Sequence, residues 1–513
     1  QEDARGLYRG AVAGRLAFKA VAQSNLFVSS NAICCWDEHE RGSRYQREVI
    51  RNASLCWKGL ARFCPWSRAL VVPSIDALAQ ELDLEELLLL HRAWGDWFYS
   101  RITPVYWKVL SNVRALALPE RRLILVYASS HTWMNHGSHA TLKAMFPEHD
   151  EEKVEVVHLI MTGDQEVERA GDLPQRQKFI NVAHISDTAA AELVNEMGAH
   201  ILVDLNGYLS GTRMVIAALQ PSPICIHHFA QPSTMGARYV HNFLADTVIV
   251  PPEHQPFYTE KLVFLPGIFI ATSTRSSSPE ALTWDPSQPL SRSGLDLPMH
   301  SSLLMCNFNA FYKIHPKQMR VWRDVLLLLP HVLLVLRAKS GTVSNCIHRY
   351  LEEVGLSSDR VYFTGDLSGD MHAKRCGACE LVVDTDNFNG ITTTATVLWS
   401  GTPVVTFPTQ NNAGRCSAAM LMAMDTPELI ARNRDEYMRL LLLLIRGDSP
   451  AHAKLTHLRR KIGAARHTSF LYQPRYLAKG YERVAHRLWD VFRAAGDRAG
   501  THHVTLSNFR DTV

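Results

Sequence analysis

A short polar turn, Asn-Gly-Ile-Thr-Thr-Thr at residues 389–394, does most to constrain the fold of this 513-residue chain. It separates an apolar run at 380–385 from a short helical segment, which ends at Gly401 before another apolar run begins. A helix N-terminus presents unpaired N–H groups and about half a positive charge, and glycine permits close approach to the backbone. The turn therefore predicts a phosphate-binding strand–helix junction, and helix capping by threonine is the purely structural alternative.

The pattern along the rest of the chain divides it into helical and alternating regions. Apolar residues recur at helical spacing up to about residue 118, most clearly at 82–99, and a Ser- and Pro-rich linker is predicted at 271–300. The predicted units are a helical region at 1–118, a first lobe at 119–290, a second lobe at 291–495 and a tail at 496–513. Strands are predicted at 123–127, 154–160, 201–205, 247–250, 261–265, 303–308, 332–336, 361–363, 381–384 and 404–407. Strands that alternate with helices predict an α/β fold of two Rossmann-like lobes, typical of GT-B glycosyltransferases.

Composition excludes some classes of function. A net charge of +4 gives no reason to expect nucleic-acid binding, and no apolar run is long enough to cross a bilayer. Ten cysteines are scattered. The pair Cys376 and Cys379 has no second pair at zinc-site spacing, so we expect no metal site and free thiols in a reducing compartment.

Several segments together resemble the catalytic region of glycosyltransferase family 41, the O-GlcNAc transferase and SPINDLY family. They are Asn-Phe-Asn with Tyr-Lys-Ile-His-Pro at 307–316, His-Ile-Leu-Val-Asp-Leu-Asn-Gly-Tyr at 200–208, the threonine turn with Leu-Trp-Ser-Gly-Thr-Pro at 398–403, and the helical segment at 428–437. The stretch at 34–38 resembles the end of the family's tetratricopeptide array, so 1–118 is expected to hold a remnant of that array.

The resemblance implies roles for individual residues. Lys313 would neutralise the diphosphate leaving group, His136 would be the general base, and His200 is a further catalytic candidate in the cleft. His372 and Arg375 lie three residues apart on one predicted helix face, where the family packs a histidine against uracil. The implied donor-binding residues are Lys313, Leu367, His372, Arg375, Ile391, Thr392, Thr393 and Thr396.

Four positions depart from the pattern of O-GlcNAc transferases. Ala310 stands in place of a glutamine, Ile391 of a histidine, Thr396 of an aspartate and Gly369 of a lysine. The resemblance implies transfer of N-acetylglucosamine from UDP to Ser or Thr hydroxyls of cytoplasmic or nuclear proteins, with no metal cofactor and no nucleic-acid or membrane partner. Because SPINDLY enzymes also lack that histidine, GDP-fucose is an alternative donor. A non-catalytic scaffold is the third hypothesis.

Overall fold

Two parallel β-sheets, one in each half of the chain, form the framework. A computed structural model describes residues 78–79, 81–102, 122–130, 142–161, 177–300, 302–338, 341–495 and 504–505. The strands are β1 Leu123–Ser129, β2 Val154–Ile160, β3 Lys178–Asn181, β4 Ile201–Asp204, β5 Ile224–His227, β6 Asn242–Ala245, β7 Lys261–Phe264, β8 Leu303–Asn307, β9 Val332–Arg337, β10 Val361–Thr364, β11 Leu381–Val383, β12 Val404–Val405 and β13 Val504–Thr505. The first sheet has the strand order β13-β7-β6-β5-β4-β1-β2-β3 and the second has the order β10-β9-β8-β11-β12.

Helices cover both sheets, and several have a recognisable start. The helices are α1 Leu84–Ile102, α2 Asp187–Glu196, α3 Met214–Ala218, α4 Thr274–Ser277, α5 Pro316–Leu328, α6 Gly341–Glu353, α7 Gly369–Gly377, α8 Thr392–Trp399, α9 Cys416–Ala423, α10 Arg434–Ile445, α11 Ser449–Ala465 and α12 Pro474–Ala495. The side chains of Ser186, Asn433 and Asp448 cap α2, α10 and α11 by accepting from backbone N–H groups. No helix in the described part of the chain is long and apolar enough to span a membrane.

Each sheet reverses its strand order beside its first strand. In both sheets the chain first winds outward from one central strand, β1 or β8, and then returns to add β4 or β11 on that strand's other side. All pairs within the two sheets are parallel, so the carboxyl ends of the strands meet at one edge. This arrangement confirms the predicted α/β GT-B fold. A crevice forms where the order reverses, and ligands of doubly wound sheets bind there.

The strand predicted at 247–250 is wrong. The strand is instead β6, and the chain turns directly after it. The side chain of Asp246 causes the turn: its Oδ1 accepts from the N–H groups of Val248 and Ile249, and its Oδ2 accepts from Phe269. Those N–H groups are therefore not available to a β-ladder.

The Ser- and Pro-rich segment at 271–300 packs closely on the second lobe. The Ser278 carbonyl accepts a 2.8 Å hydrogen bond from Trp399 Nε1. Arg292 pairs with Glu380 at 3.0 Å. Backbone hydrogen bonding of Leu290 to Gly377 adds a further contact. Low periodicity here reflects irregular but ordered structure.

The expectation of free thiols is wrong for Cys306 and Cys379. Their sulfurs form a disulfide between β8 and the residue that precedes Glu380 and β11, with Cα atoms 6.4 Å apart. Cys376 and Cys416 are free and buried.

Helices α1 and α12 each contact more than one part of the molecule. The Glu482 carboxylate of α12 accepts from the backbone N–H of Asp150 at 2.8 Å and pairs with His149 at 3.2 Å, both in the first lobe. Helix α1 packs on α3 of the first lobe. Leu82 and Leu87, just before and within α1, join a hydrophobic cluster with Phe388 of the second lobe. The beginning of α1 therefore contacts the segment that precedes α8.

Candidate functional site

The candidate site lies at the carboxyl edge of the second sheet, where the strand order reverses. Strands β8 and β11 are neighbours, with Met305 beside Leu381 and Cys306 beside Val382. The segments that leave these two strands, 308–313 and 384–391, are consequently adjacent. They contain Lys313, to which the resemblance assigns the diphosphate, and the first half of the turn for which the sequence predicts phosphate binding.

A clamp of side-chain hydrogen bonds joins the two segments. Asn309 Nδ2 donates to Asp384 Oδ1 at 3.0 Å and lies 2.9 Å from Thr385 Oγ1. The N–H of Gly390 also donates to Asp384 Oδ1, at 3.0 Å. A Cβ atom on Gly390 would lie 2.4 Å from Asn309 Oδ1 and 2.9 Å from Thr394 Oγ1, so only glycine fits this approach.

The N-terminus of α8 is open. No acceptor is found within the described residues for the backbone N–H groups of Thr392 and Thr393. Both threonines are half-exposed, whereas Thr394 is buried and lies 2.9 Å from Ser417 Oγ. No side chain caps the helix, because position 391 is isoleucine. The first turn thus offers N–H groups, two hydroxyls and the positive end of the helix dipole to an anion.

Lys313 brings a charge to this helix start. It ends the single 3₁₀ turn Phe311–Lys313, and its Nζ donates to the Asn389 carbonyl at 2.8 Å. Burial lowers its pKa to about 8, while Asp384 and Cys416 partly oppose the fall. The ammonium is therefore mostly charged at neutral pH and poorly solvated, so an anion that reaches it gains strong electrostatic attraction.

A second buried charge, Asp386, is already neutralised. Its Oδ1 lies 2.6 Å from His315 Nε2, and its Oδ2 accepts from Arg434 at 2.7 Å. Burial alone would raise the pKa of Asp386, but His315 and Arg434 outweigh burial and hold the pKa well below its usual range. The pairing keeps this carboxylate from repelling an anion at α8 and fixes the loop between β11 and α8.

His372 and Arg375 lie one turn apart on α7, as the sequence predicted. Arg375 is buried, and its guanidinium lies 4.8 Å above the Phe308 ring while donating to Thr364 Oγ1 at 2.8 Å. Its NH2 group lies 3.1 Å from His372 Nδ1. Because arginine only donates, Nδ1 accepts and the proton of the imidazole stays on Nε2.

The imidazole of His372 is suited to stacking rather than ion pairing. Burial, followed by the charge of Arg375, lowers its pKa to about 3. It meets Phe308 edge-on with ring centroids 5.5 Å apart and is only half-buried. A neutral ring, held by a buried arginine and partly open to solvent, can lie against a flat aromatic ligand such as a nucleobase.

The remaining predicted donor-binding residues also lie at this edge. Leu367 is half-buried in the loop between β10 and α7. Ile391 immediately precedes α8 and packs on the cluster that contains Phe388. Thr396 lies one turn into α8, where its Oγ1 donates to the Thr392 carbonyl at 3.0 Å. Every predicted donor-binding residue thus lies in a segment of the second lobe that follows β8, β10 or β11.

Of the two catalytic histidine candidates, His200 does not join this group, and His136 lies outside the described residues. His200 immediately precedes β4, at the edge of the first sheet opposite the carboxyl ends. It is fully buried, its Nδ1 accepts from the Ile124 N–H at 3.0 Å, and it meets Trp489 edge-on. Burial, with a smaller contribution from His486, lowers its pKa to about 4. This placement favours a packing role.

The first lobe holds its own polar network at the point where its strand order reverses. Asp204, at the end of β4, accepts from the N–H groups of Asn206 and Gly207 and lies 2.7 Å from His227 Nδ1. Asn206 Oδ1 in turn accepts from the Ser130 N–H that follows β1. The network fixes the loops that leave β1 and β4.

No group of three or more His, Cys, Asp or Glu in the described ranges is placed to hold a metal ion.

A family model decides what kind of protein carries this site. The model for Glycosyl transferase family 41 matches residues 98–282 and 286–480, which together include both sheets except β13. The chain belongs to glycosyltransferase family 41. The resemblance stated from the sequence is thereby confirmed, and α8 lies within the matched residues.

Relatives of this family 41 chain carry transferase names. It is 28% identical over 373 residues to the Arabidopsis thaliana protein named probable UDP-N-acetylglucosamine–peptide N-acetylglucosaminyltransferase SEC, covering 72% of this chain and 37% of that protein. It is 25% identical over 479 residues to a Caenorhabditis elegans protein named as the same transferase, covering 73% and 41%. An Arabidopsis SPINDLY protein is 28% identical over 366 residues, covering 69% and 38%. The chain therefore spans about two fifths of the length of these relatives.

A solved structure supports the fold. The structure of a mutant O-GlcNAc transferase from Thermobaculum terrenum matches with a TM-score of 0.70 and 24% identity, over 93% of this chain and 85% of that chain.

Sequence reasoning missed some residues that build the site. The clamp from Asn309 to Asp384 and the pairing of Asp386 with Arg434 join positions far apart in sequence, so local pattern gave no signal for them. Phe388 was overlooked although it directly precedes the predicted turn. A large apolar residue between two asparagines is the one local signal that marks it.

Proposed function

We propose that this family 41 protein transfers N-acetylglucosamine from UDP-N-acetylglucosamine to Ser or Thr hydroxyls of proteins. One observation carries the proposal: Lys313 Nζ lies 2.8 Å from the Asn389 carbonyl, which places an ammonium three residues before the open start of α8. An ammonium beside unpaired N–H groups is suited to the two negative charges of a diphosphate.

In the proposed reaction the acceptor hydroxyl oxygen attacks C1 of the sugar from the face opposite the diphosphate. The bond from C1 to the diphosphate oxygen breaks, its electron pair remains on UDP, and the configuration at C1 inverts. Lys313 and the N-terminus of α8 stabilise the charge that develops on the leaving oxygen, so the proposal needs no metal ion. The hydroxyl proton passes to a base, for which His136 remains the candidate.

The proposal assigns further donor contacts to the other residues of the site. His372 would stack on the base with its neutral ring, and Arg375 would hold His372 in place. Thr392 and Thr393 would donate to phosphate oxygens. Leu367, Ile391 and Thr396 would line the donor pocket, with Thr396 contributing mainly its methyl group because its hydroxyl already bonds within α8.

The acceptor and the place of action are inferred by analogy. Relatives named as peptide N-acetylglucosaminyltransferases support protein acceptors, and we propose that these are cytoplasmic or nuclear. The proposal includes no nucleic-acid or membrane partner. We propose that parts of the molecule outside the second lobe select the acceptor protein.

GDP-fucose is a second candidate donor. The observation that favours it is Ile391, an apolar, half-buried side chain at the start of α8, where the pattern of O-GlcNAc transferases has a histidine. Position 391 can distinguish the two donors, because isoleucine, unlike histidine, offers no hydrogen bond to a sugar nucleotide.

Transfer from each donor to a mixture of Ser/Thr peptides tests the proposal. The wild type is expected to move radiolabel from UDP-N-acetylglucosamine, and Lys313→Met is expected to lose at least about a hundredfold of that rate. Lys317→Met, which removes an exposed lysine four residues away, is the matched control and should transfer normally. Label transferred only from GDP-fucose would replace the first proposal with the second. Transfer from neither donor, with no rise in melting temperature on adding UDP or GDP, would instead support a non-catalytic scaffold.

A further inference from the structure

Phe388 occupies an unusual place beneath the ammonium of Lys313. Lys313 Nζ lies 4.0 Å from the centroid of the Phe388 ring, well within the range of a cation–π interaction. The same Nζ is 6.0 Å from the centroid of the neighbouring Tyr312 ring, which contacts Phe388 edge-on at 5.9 Å. Phe388 therefore provides the closer aromatic face to this lysine.

The ring is held firmly from its other sides. Phe388 is only 4% exposed and packs in the hydrophobic cluster with Leu82, Leu87 and Ala413. The backbone is fixed as well, because the Phe388 carbonyl accepts from Thr385 Oγ1 at 2.6 Å. The neighbouring Asn389 side chain donates to the Thr385 carbonyl at 2.5 Å. A ring so constrained can define the position of a flexible lysine side chain.

The charged and titratable groups facing Lys313 are few in the described part of the chain. Asp384, on the segment after β11, and Cys416, at the start of α9, both favour the charged form, and the Tyr312 phenol lies at a distance. Asp384 already accepts hydrogen bonds from Asn309 and Gly390. The direct contacts of the ammonium are thus a carbonyl and an aromatic face, both without net charge.

We infer that Phe388 is a positioning residue for Lys313: its ring face holds the ammonium charged and aimed at the start of α8 without neutralising it. A carboxylate in the same place would also stabilise the ammonium, but it would compete with an incoming diphosphate. An aromatic face attracts a cation through its quadrupole and brings no net charge. Because the ring packs on Leu82 and Leu87, the residues around the start of α1 support the same lysine.

This inference deepens the proposed function and rests on it for the role of Lys313, but its first test does not need turnover. Lysines are ¹³C-methylated, and the signal missing in Lys313→Met identifies Lys313 in the NMR spectrum. Titration of the wild type should give a pKa near 8. In Phe388→Leu, which keeps an apolar side chain but has no ring face, we expect the pKa to fall by about one unit. Phe388→Met serves as the second ring-free variant should Phe388→Leu not fold.

Two variants separate the ring face from packing. Phe388→Tyr keeps the face and should keep the pKa of Lys313. Leu87→Ala loosens the same cluster but keeps the ring, so it should lower the melting temperature and move that pKa much less than Phe388→Leu does. An unchanged pKa in the ring-free variants, or an equal fall in Phe388→Tyr, overturns the inference.

The pH dependence of kcat/KM for sugar transfer gives a second readout. If the pKa of Lys313 falls from 8 to near 7, the charged fraction of Lys313 drops about eightfold at pH 8.5 but by less than about twofold at pH 6. Phe388→Leu should therefore lose activity on the alkaline side only, whereas a uniform loss at all pH values would mean that the ring acts by general packing. A lowered pKa with no transfer from any donor would uphold the positioning and refute the proposed function.

Discussion

Replacing Lys313 by methionine is expected to make the protein more stable while removing its activity. Burial lowers the pKa of Lys313 from 10.5 to about 8. At about 1.36 kcal/mol per pKa unit, the charged lysine costs the native state about 3.4 kcal/mol. That figure is an upper bound, because the side chain is only half-buried. Methionine has a similar length and no charge, so it removes this cost.

The expected gain is smaller than the full cost. Methionine loses the hydrogen bond from Nζ to the Asn389 carbonyl, worth about 1 kcal/mol, and partial exposure of Lys313 reduces the desolvation cost further. We expect Lys313→Met to raise the free energy of unfolding by roughly 1–2 kcal/mol at pH 7.

The gain should depend on pH in a definite direction. Between about pH 8 and 10.5 the native lysine has lost its proton while the unfolded lysine still holds one, so the unfolded state binds more protons. Wild-type stability from this group therefore rises with pH over that window, and the advantage of Lys313→Met shrinks toward zero. Below about pH 8 the advantage is complete.

Denaturant unfolding of both proteins at pH 6.5 and pH 9.5 measures the effect. Lys317→Met is the control, since Lys317 is 51% exposed and pairs with Glu81 at the surface. The control should show no gain at either pH. A Lys313→Met protein that is less stable than the wild type at pH 6.5, or equally shifted at both pH values, would refute the account of a desolvated ammonium.

Three further predictions concern the surroundings of α8. Arg434→Ala leaves the buried Asp386 with one partner, so it should lower the free energy of unfolding by roughly 2–3 kcal/mol at pH 7. Because the pKa of Asp386 is depressed, this loss of stability should fade as the pH falls below about 4. Urea titrations that show no loss of stability at pH 7 would contradict the prediction. Gly390→Ala places a Cβ 2.4 Å from Asn309 Oδ1, so calorimetry should show UDP binding that is at least about tenfold weaker. An unchanged affinity for UDP would contradict the close packing of Gly390 against Asn309. His372 stays neutral above about pH 4, so His372→Ala should weaken UDP binding by the same factor at pH 5.5 and at pH 7.5. A weakening seen only at pH 5.5 would mean that the charged imidazole binds UDP.

Sequence patterns predicted the parts of the fold that depend on local chain properties. Strand β2 has the predicted bounds, and β1 extends two residues past its predicted end. Strand β1 is an almost continuous apolar run, and β2 is apolar apart from Glu155 and His158, which is typical of strands buried on two faces. Strand β6, Asn-Phe-Leu-Ala, was missed because the adjacent segment 247–250, Thr-Val-Ile-Val, is richer in β-branched residues, although Asp246 holds that segment in a turn.

The site divides in the same way. The open start of α8 was predictable because strand, glycine turn and helix are consecutive in sequence. Positions such as Lys313 and His372 needed the family resemblance, since a lone lysine or histidine has no local pattern. The support given by Phe388 arises only when the residues before α1 fold against the second lobe, a contact across some 300 positions that periodicity cannot show.

The most direct test compares the binding of UDP and uridine by calorimetry in the wild type and in Lys313→Met. The two ligands differ only in the diphosphate, so the ratio of their affinities isolates the contribution of Lys313 and the start of α8. We predict that the wild type binds UDP at least about a hundredfold more tightly than uridine, and that Lys313→Met loses at least about tenfold of that ratio while binding uridine normally. Equal affinities for UDP and uridine in the wild type, or an unchanged ratio in the variant, would contradict the proposal that this lysine and helix N-terminus bind a nucleoside diphosphate.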